Sequence, residues 1–119
     1  MIVGIGIDTV DLTRFARSVE RAPRLLDRLF TDAERALPRA SLAARFAARE
    51  AAVKALGGLH GLQLRDLAVA REHLGPPTFE LDAHARAVLA SLGVARLHLS
   101  ITHDANLATA FVVAEGGTN

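Results

Sequence analysis

Three short stretches of the sequence place ionisable side chains next to apolar runs, and they are residues 6–8 (Gly-Ile-Asp), 46–54 (Phe-Ala-Ala-Arg-Glu-Ala-Ala-Val-Lys) and 99–104 (Leu-Ser-Ile-Thr-His-Asp). Burying an ionisable group costs free energy unless a partner binds it. The groups that need partners are the carboxylates Asp8 and Glu50, the amine of Lys54 and the imidazole of His103. Two carboxylates with a lysine and a histidine suggest a site for a divalent metal ion and a phosphorylated ligand.

Asp8 follows the apolar run Met1–Ile7, which predicts a buried strand that ends at this aspartate. Burial raises the pKa of a carboxyl group and disfavours its charged form, so a metal ion or a set of backbone N–H donors would explain the residue. The alternative is that Asp8 or Asp11 caps the helix that follows. Asp8 therefore becomes informative only together with a second carboxylate.

Glu50 is that second carboxylate. In a helix, Phe46, Glu50 and Lys54 lie four residues apart along one stripe. Phe46 belongs to the buried side with Leu42 and Val53, so Glu50 lies at the border between core and surface. A rigid pair of carboxylates would let a hard divalent ion keep waters and substrate phosphates as its other ligands. The alternative is an ordinary ion pair between Glu50 and Lys54.

His103 lies where a predicted strand ends in a turn. Continued alternation places it on the apolar face with Leu97, Leu99 and Ile101. There it could donate a hydrogen bond to a phosphate or ribose oxygen, or it could be a core histidine bonded to the backbone. No two of the five histidines have the spacing of a zinc motif such as HExxH, which disfavours a zinc site.

A basic stripe follows the first predicted helix. Arg14, Arg17 and Arg21 share one face, opposite the apolar Phe15 and Val19. The planar guanidinium suits the carboxylates of an acidic partner helix, although the stripe could also be a solvated surface. Nucleic acid is a less suitable partner because the net charge is only +1 and aromatic residues make up 4% of the chain.

Length and composition limit the class of protein. A chain of 119 residues predicts one domain, residues 1–119, small enough that oligomer formation is plausible. Residues 1–60 carry ten Lys or Arg against seven Asp or Glu, which favours an acidic or phosphorylated partner. The absence of cysteine excludes disulfides and thiolate chemistry. Neither a membrane-spanning run nor a signal peptide is indicated, so we expect a cytoplasmic protein without a membrane partner.

The remaining periodicity predicts an α+β fold with a mostly antiparallel sheet and a long central helix. Helices are predicted over residues 11–21, 24–30 and 83–92, from a capping box of Thr31 with Glu34, and from a Ser41 cap to Leu56, where Gly57 ends the helix. Strands are predicted over residues 67–71, 78–81, 96–102 and 107–114, with a tight turn at 105–106 and a frayed terminus at 116–119.

Taken together, the motifs resemble one family across nearly the whole chain. They are Gly6-Ile7-Asp8 followed by Arg14-Phe15, Arg45-Phe46 through Glu50-Ala51 to Lys54-Ala55, and Ser100-Ile101-Thr102-His103. Their order and spacing are similar to those of the holo-acyl-carrier-protein synthase family of 4'-phosphopantetheinyl transferases, which implies the fold of that family. One departure is Arg49, which stands where lysine is frequent.

The resemblance implies a reaction of lipid metabolism, in fatty acid biosynthesis. The 4'-phosphopantetheine arm of coenzyme A is transferred to a serine of apo-acyl carrier protein, and adenosine 3',5'-bisphosphate is released. Asp8 and Glu50 would hold Mg²⁺ on the pyrophosphate, and Lys54 would act with them in catalysis and contact the same phosphates. Arg45 and His103 would bind the adenosine 3'-phosphate end.

The resemblance also implies further contacts and an oligomeric state. Gly57, Pro77 and Thr102 would bind coenzyme A as well. The arginines of the basic stripe, Arg14, Arg17 and Arg21, would dock the acidic helix of the carrier. Small members of the family are homotrimers with active sites between subunits, so we expect a homotrimer here.

Two other functions are compatible with the same residues. A magnesium-dependent phosphohydrolase could use the same carboxylates without an acceptor protein. A non-catalytic adaptor could bind an acidic protein through its arginine face, with Asp8 and Glu50 serving only the structure. The sequence does not choose among fatty-acid, polyketide and peptide carriers.

Overall fold

The computed structural model describes residues 1–72 and 74–117 of the chain. The strands in these residues are β1 (Ile2–Asp11), β2 (Ala68–Arg71), β3 (Pro77–Glu80), β4 (Val94–Asp104) and β5 (Leu107–Gly116). The helices are α1 (Leu12–Arg21), α2 (Leu25–Leu29), α3 (Asp32–Arg35), α4 (Arg39–Leu56) and α5 (Ala83–Ser91), with a 3-10 turn at Leu64–Asp66. None of these helices combines the length and the hydropathy that a membrane crossing requires.

The strands form two sheets, both antiparallel. One has the order β1-β5-β4, and the other is the hairpin of β2 with β3. The long helix α4 packs across β1 and β5. Alternate residues of β5, from Ala108 to Ala114, are fully buried and mostly alanine, which lets a helix approach the sheet closely. The predicted α+β architecture with a long central helix is confirmed.

Two glycines of β1 set the distance between strand and helix. A Cβ atom on Gly4 would lie 1.9 Å from the carbonyl oxygen of Ala55, and one on Gly6 would lie 1.9 Å from that of Ala51. The backbones of β1 and α4 are therefore in direct contact, which only glycine permits. Because side chains alternate along a strand, Asp8 points to the same side as Gly6, towards α4.

The prediction that β1 ends at Asp8 is wrong. The strand continues to Asp11 because β5 continues beside it, with Asp8 opposite Ala110 and Asp11 opposite Leu107. Asp11 then caps α1, since its Oδ1 accepts the Arg14 N–H at 3.0 Å. The capping alternative is therefore correct for Asp11 and not for Asp8. The Asp8 carboxylate is thus available for contacts other than helix capping.

The start of α4 also differs from the prediction. The helix begins at Arg39, with Pro38 as the capping residue, and Ser41 lies within the first turn. The Pro38 carbonyl accepts the Leu42 N–H at 3.0 Å, so the helical ladder starts ahead of the serine. The predicted end at Gly57 is confirmed, because this glycine has a φ of +77° that suits a residue without a side chain.

The predicted frayed terminus, residues 116–119, is wrong at its first residue. Gly116 ends β5, and its N–H donates to the carbonyl of Met1 at 2.7 Å. The last two residues of the predicted segment, Thr118 and Asn119, lie outside the described residues.

The face of the three-stranded sheet opposite α4 carries apolar side chains. Ile5 and Ile7 on β1 and Phe111 on β5 are 60%, 57% and 43% exposed. The strand register pairs Ile7 with Phe111 and Ile5 with Val113. We call these four residues the open sheet face.

Candidate active site

The centre of the candidate site is the contact between β1 and α4. The Nζ of Lys54 donates to Oδ1 of Asp8 at 3.1 Å and to the backbone carbonyl of Ile7 at 3.0 Å. Lys54 thus pairs with a carboxylate from another element, and not with Glu50 one turn back on its own helix. The Asp8 side chain is 19% exposed, so it is open to a ligand.

Glu50 lies beside this pair and is half-buried. Burial raises the pKa of the Glu50 carboxyl, and the negative charge of Asp8 raises it further, whereas Lys54 lowers it. The two carboxylates therefore repel each other in a partly desolvated place. A bound cation would relieve that repulsion.

The donor set fits a hard divalent ion only in part. Among the described residues, no three His, Cys, Asp or Glu side chains lie close enough together to hold a metal ion. Two carboxylates on a rigid strand and helix suit an ion that takes its remaining ligands from water and substrate phosphate, as Mg²⁺ commonly does. The pair of Asp8 and Glu50 is therefore suited to bind Mg²⁺ together with a phosphorylated substrate.

A cavity of about 610 Å³ opens next to the carboxylates. Asp8 and Glu50 line it together with Phe15 and Phe46 and with Arg14 of α1. Its volume lies within the range typical of small-molecule pockets, roughly 300–1,000 Å³. The cavity thus joins the carboxylate pair to the first helix.

The basic stripe lies on the exposed face of that helix. Arg14, Arg17 and Arg21 are exposed, while Phe15 and Val19 are buried. The prediction that the three arginines share one face of the helix, opposite Phe15 and Val19, is confirmed. Because Arg14 also lines the cavity, one end of the stripe adjoins the carboxylates.

Arg45 lies elsewhere on α4. It precedes Glu50 by five residues, which turns it about 140° around the helix. Its Nε donates to the Val69 carbonyl at 3.3 Å and its Nη1 to the Ser41 carbonyl at 3.4 Å. Pro77 begins β3 in the neighbouring hairpin, opposite Arg71. These two predicted coenzyme A ligands thus belong to the side of the molecule formed by the hairpin.

Thr102 and His103 form a third location, near the end of β4. Both are exposed, and their strand partners are Thr109 and Ala108. The interpretation of His103 as a buried core histidine is therefore wrong, although it shares the strand face of Leu97, Leu99 and Ile101. Of the described residues, those that line the cavity include neither Arg45 nor Thr102 nor His103. Gly57, by contrast, lies one turn beyond Lys54.

Sequence reasoning missed a buried ion pair on the hairpin side. Arg49 is completely buried and binds Glu34, with Nη2 to Oε1 at 2.5 Å and Nη1 to Oε2 at 3.1 Å. Burial alone would raise the pKa of Glu34, but hydrogen bonds from Arg49, Thr31 and Val69 lower it overall. The available signal was helical spacing, because Arg49 follows the buried Leu42 by seven residues and so lies on the same face.

Known proteins resemble this chain in sequence and in fold. Residues 4–112 match the family model of the 4'-phosphopantetheinyl transferase superfamily. Holo-acyl-carrier-protein synthase of Clavibacter sepedonicus is 58% identical over 116 residues, which cover 98% of each chain. The crystal structure of the synthase from Neisseria meningitidis has a TM-score of 0.88 at 35% identity and covers 97% of this chain and 99% of that one.

A third comparison involves a bound ligand. The Helicobacter pylori synthase in complex with coenzyme A has a TM-score of 0.81 at 30% identity, with 93% of this chain and 99% of that chain covered. The chain belongs to the 4'-phosphopantetheinyl transferase superfamily and, within it, to the holo-acyl-carrier-protein synthase family. The enzyme class, the family and the fold that the motifs predicted are thus confirmed.

Proposed function

We propose that this enzyme transfers the 4'-phosphopantetheine group of coenzyme A to a serine of an apo-acyl carrier protein. The observation that carries the proposal is the cavity that Asp8, Glu50 and Arg14 share. It brings groups that can act on a pyrophosphate next to a basic helix that can receive an acidic protein. Relatives that are named for this activity, one of them bound to coenzyme A, support it.

The reaction displaces one oxygen at phosphorus by another. The serine hydroxyl attacks the phosphorus that carries pantetheine, and the bond from this atom to the bridging oxygen breaks. Adenosine 3',5'-bisphosphate leaves with the electron pair, and the serine proton passes to a base. The ammonium group of Lys54 would offset negative charge on the phosphoryl oxygens, and a carboxylate oxygen in the cavity would accept the proton.

Asp8 and Glu50 would hold Mg²⁺ in this site. Their repulsion and their half-buried positions on two rigid elements support the assignment. When bound, the ion would neutralise charge on the pyrophosphate. Asp8, held by Lys54, would keep its orientation before substrate binds.

We further propose that the active site is completed between subunits of a homotrimer. Arg45, Pro77, Thr102 and His103 would contact the adenosine end of a coenzyme A molecule whose pyrophosphate lies at a neighbour's carboxylate pair, with Gly57 beside Lys54. The support is that these residues lie apart from the cavity within one chain. The open sheet face supplies an apolar surface that other copies of the chain can cover.

The carrier would dock on the basic stripe. Arg14, Arg17 and Arg21 present an exposed cationic surface to an acidic helix. Because Arg14 lines the cavity, a carrier bound there would place its serine beside the carboxylates.

The decisive experiment is an intact-mass measurement. Apo-acyl carrier protein is incubated with coenzyme A, Mg²⁺ and the enzyme, and we expect the carrier to gain one phosphopantetheinyl group. Asp8→Asn serves as the inactive control. Consumption of coenzyme A without a change in carrier mass would instead identify a phosphohydrolase. If neither coenzyme A nor the carrier changes, the result would favour the non-catalytic adaptor function.

A further inference from the structure

The buried cluster on the hairpin side contains more positive than negative charge. Glu34 is the only carboxylate described there, and both of its oxygens bind the guanidinium of Arg49. The same oxygens also accept the backbone N–H groups of Thr31 and Val69. Arg45 reaches Glu34 only at 3.8 Å. Glu34 thus carries one negative charge against the two positive charges of Arg49 and Arg45, so this cluster keeps a net positive charge.

The guanidinium of Arg45 is nevertheless fixed in place. Its Nε and Nη1 donate to the carbonyls of Val69 and Ser41. Its side chain is 16% exposed, and within residues 1–72 and 74–117 its Nη2 makes no side-chain hydrogen bond. Arg45 is thus an oriented cation with one nitrogen available for an anionic ligand.

A second arginine lies on β2, the strand whose Val69 carbonyl binds the Arg45 side chain. Arg71 follows Val69 by two residues on β2, and strand alternation places both side chains on the same side. The Nε of Arg71 donates to the Gly75 carbonyl at 3.0 Å, which holds this exposed guanidinium against the hairpin. Burial lowers the pKa of Arg45, and the positive charges of Arg49 and Arg71 lower it further, against the influence of Glu34.

We propose that Arg71 joins Arg45 in binding the 3'-phosphate of coenzyme A, and so sets the preference for coenzyme A over 3'-dephospho-coenzyme A. The inference rests on the proposed function. A phosphate monoester carries about −1.5 to −2 charge at neutral pH, which one guanidinium does not neutralise and two do. Pro77, opposite Arg71 in the hairpin, belongs to the same predicted ligand surface.

The test compares two substrates. Transfer to apo-carrier is measured with coenzyme A and with 3'-dephospho-coenzyme A for the wild type, Arg71→Gln and the control Arg86→Gln, which removes one exposed charge from α5. We expect Arg71→Gln to lose roughly tenfold in kcat/KM for coenzyme A, through KM, and almost nothing for the dephospho substrate. Arg71→Lys keeps the charge and should recover part of the loss, while Arg86→Gln should resemble the wild type.

The outcomes separate this inference from the proposed function. Equal losses for both substrates would mean that Arg71 only supports the hairpin through Gly75, and unchanged kinetics would mean that it makes no contact; either result overturns the inference. A wild type that transfers nothing from coenzyme A overturns the proposed function instead. In that case calorimetry with adenosine 3',5'-bisphosphate and with AMP still tests the role of Arg71. If the wild type binds the bisphosphate more tightly than AMP and Arg71→Gln abolishes this difference, the inference is supported. Equal affinities of the wild type for the two nucleotides would overturn the inference.

Discussion

The α carbon of Gly6 lies so close to the Ala51 carbonyl oxygen that any side chain at position 6 would overlap it, with a Cβ–O distance of 1.9 Å. This contact brings β1 against α4 and carries Asp8 to Lys54 and Glu50. One glycine therefore connects the packing of β1 on α4 with the position of the proposed catalytic carboxylates.

We expect Gly6→Ala to lower the free energy of unfolding by about 3 kcal/mol, because two rigid backbones must separate to admit the methyl group. Activity should fall further than stability, since Asp8 moves with the strand. Chemical denaturation measures the first effect and carrier modification the second. Gly75→Ala is the matched control, because a Cβ there meets Glu72 at 3.4 Å or more. Equal stabilities of the two variants would contradict the close approach.

Glu50→Gln should separate stability from activity. The change removes a half-buried negative charge that Asp8 repels, so the free energy of unfolding should stay constant or rise slightly. Metal-dependent transfer should fall by orders of magnitude, and Asp8→Ala should lose activity to a similar extent. Glu80→Gln, at an exposed position, is the control. Near-normal turnover of Glu50→Gln at limiting Mg²⁺ would show that Glu50 is no metal ligand.

The buried pair of Glu34 and Arg49 should make stability depend on pH. Because the folded-state pKa of Glu34 lies below its ordinary value of 4.5, its stabilising contribution is fully present above that value and is lost as pH falls through the folded-state pKa. We expect Glu34→Gln to cost about 3 kcal/mol or more at pH 7, since it leaves the Arg49 charge buried and uncompensated.

Urea unfolding of the wild type and Glu34→Gln from pH 7 into the acid range tests this expectation. The difference between the two proteins should shrink as the wild-type carboxylate takes up its proton. A difference that stays constant over the whole range would exclude the ion pair as its source.

The open sheet face should determine the oligomeric state. Light scattering at working concentration should give the mass of a trimer, and Phe111→Asp should give a monomer because a charge enters the apolar face. Transfer activity should disappear with the trimer, since the adenosine end would lose its contacts. Ala87→Asp, on the exposed surface of α5, is the control. An active, stable wild-type monomer would rule out sites between subunits.

Charge reversal at Arg14 should act on the carrier alone. Exposed charges steer encounter and set register, and salt screens them. Arg14→Glu should therefore raise KM for the carrier sharply, leave coenzyme A affinity almost unchanged, and lose its effect as salt rises. Arg86→Glu is the control. Equal losses for both substrates would place Arg14 in the nucleotide pocket, and no loss would make the stripe a solvated surface.

Local patterns predicted much of the fold and part of the site. The stripe of Phe46, Glu50 and Lys54 follows from helical spacing. The end of α4 in a left-handed residue at Gly57 follows from the frequent use of glycine at that position after a helix. The pairing of Lys54 with Asp8 did not follow, because the sequence offered an equally good partner at Glu50. That choice depends on how closely Gly6 lets β1 approach α4, which is a property of tertiary packing.

The same limit applies to Glu34. Its capping role needs only Thr31, three residues away, and was predictable, whereas its bond to Arg49 spans fifteen positions and needs the folded core. The length of β1 could not be predicted from local patterns either, since Thr9 and Val10 extend the strand only because β5 pairs with them. The features that local patterns did not predict are thus those that depend on contacts between residues distant in sequence.

Lys54 is the single lysine of the chain. Its amine is exposed enough for reagents to reach, with 55% of the side chain accessible, yet it holds Asp8 in the site. Apart from the N-terminus, an amine-directed dye, crosslinker or sensor coating therefore has one attachment point in this protein, and using it converts the ammonium that binds Asp8 into a neutral amide. Immobilised or labelled preparations should accordingly be made through an introduced cysteine, which would be the first thiol in the chain.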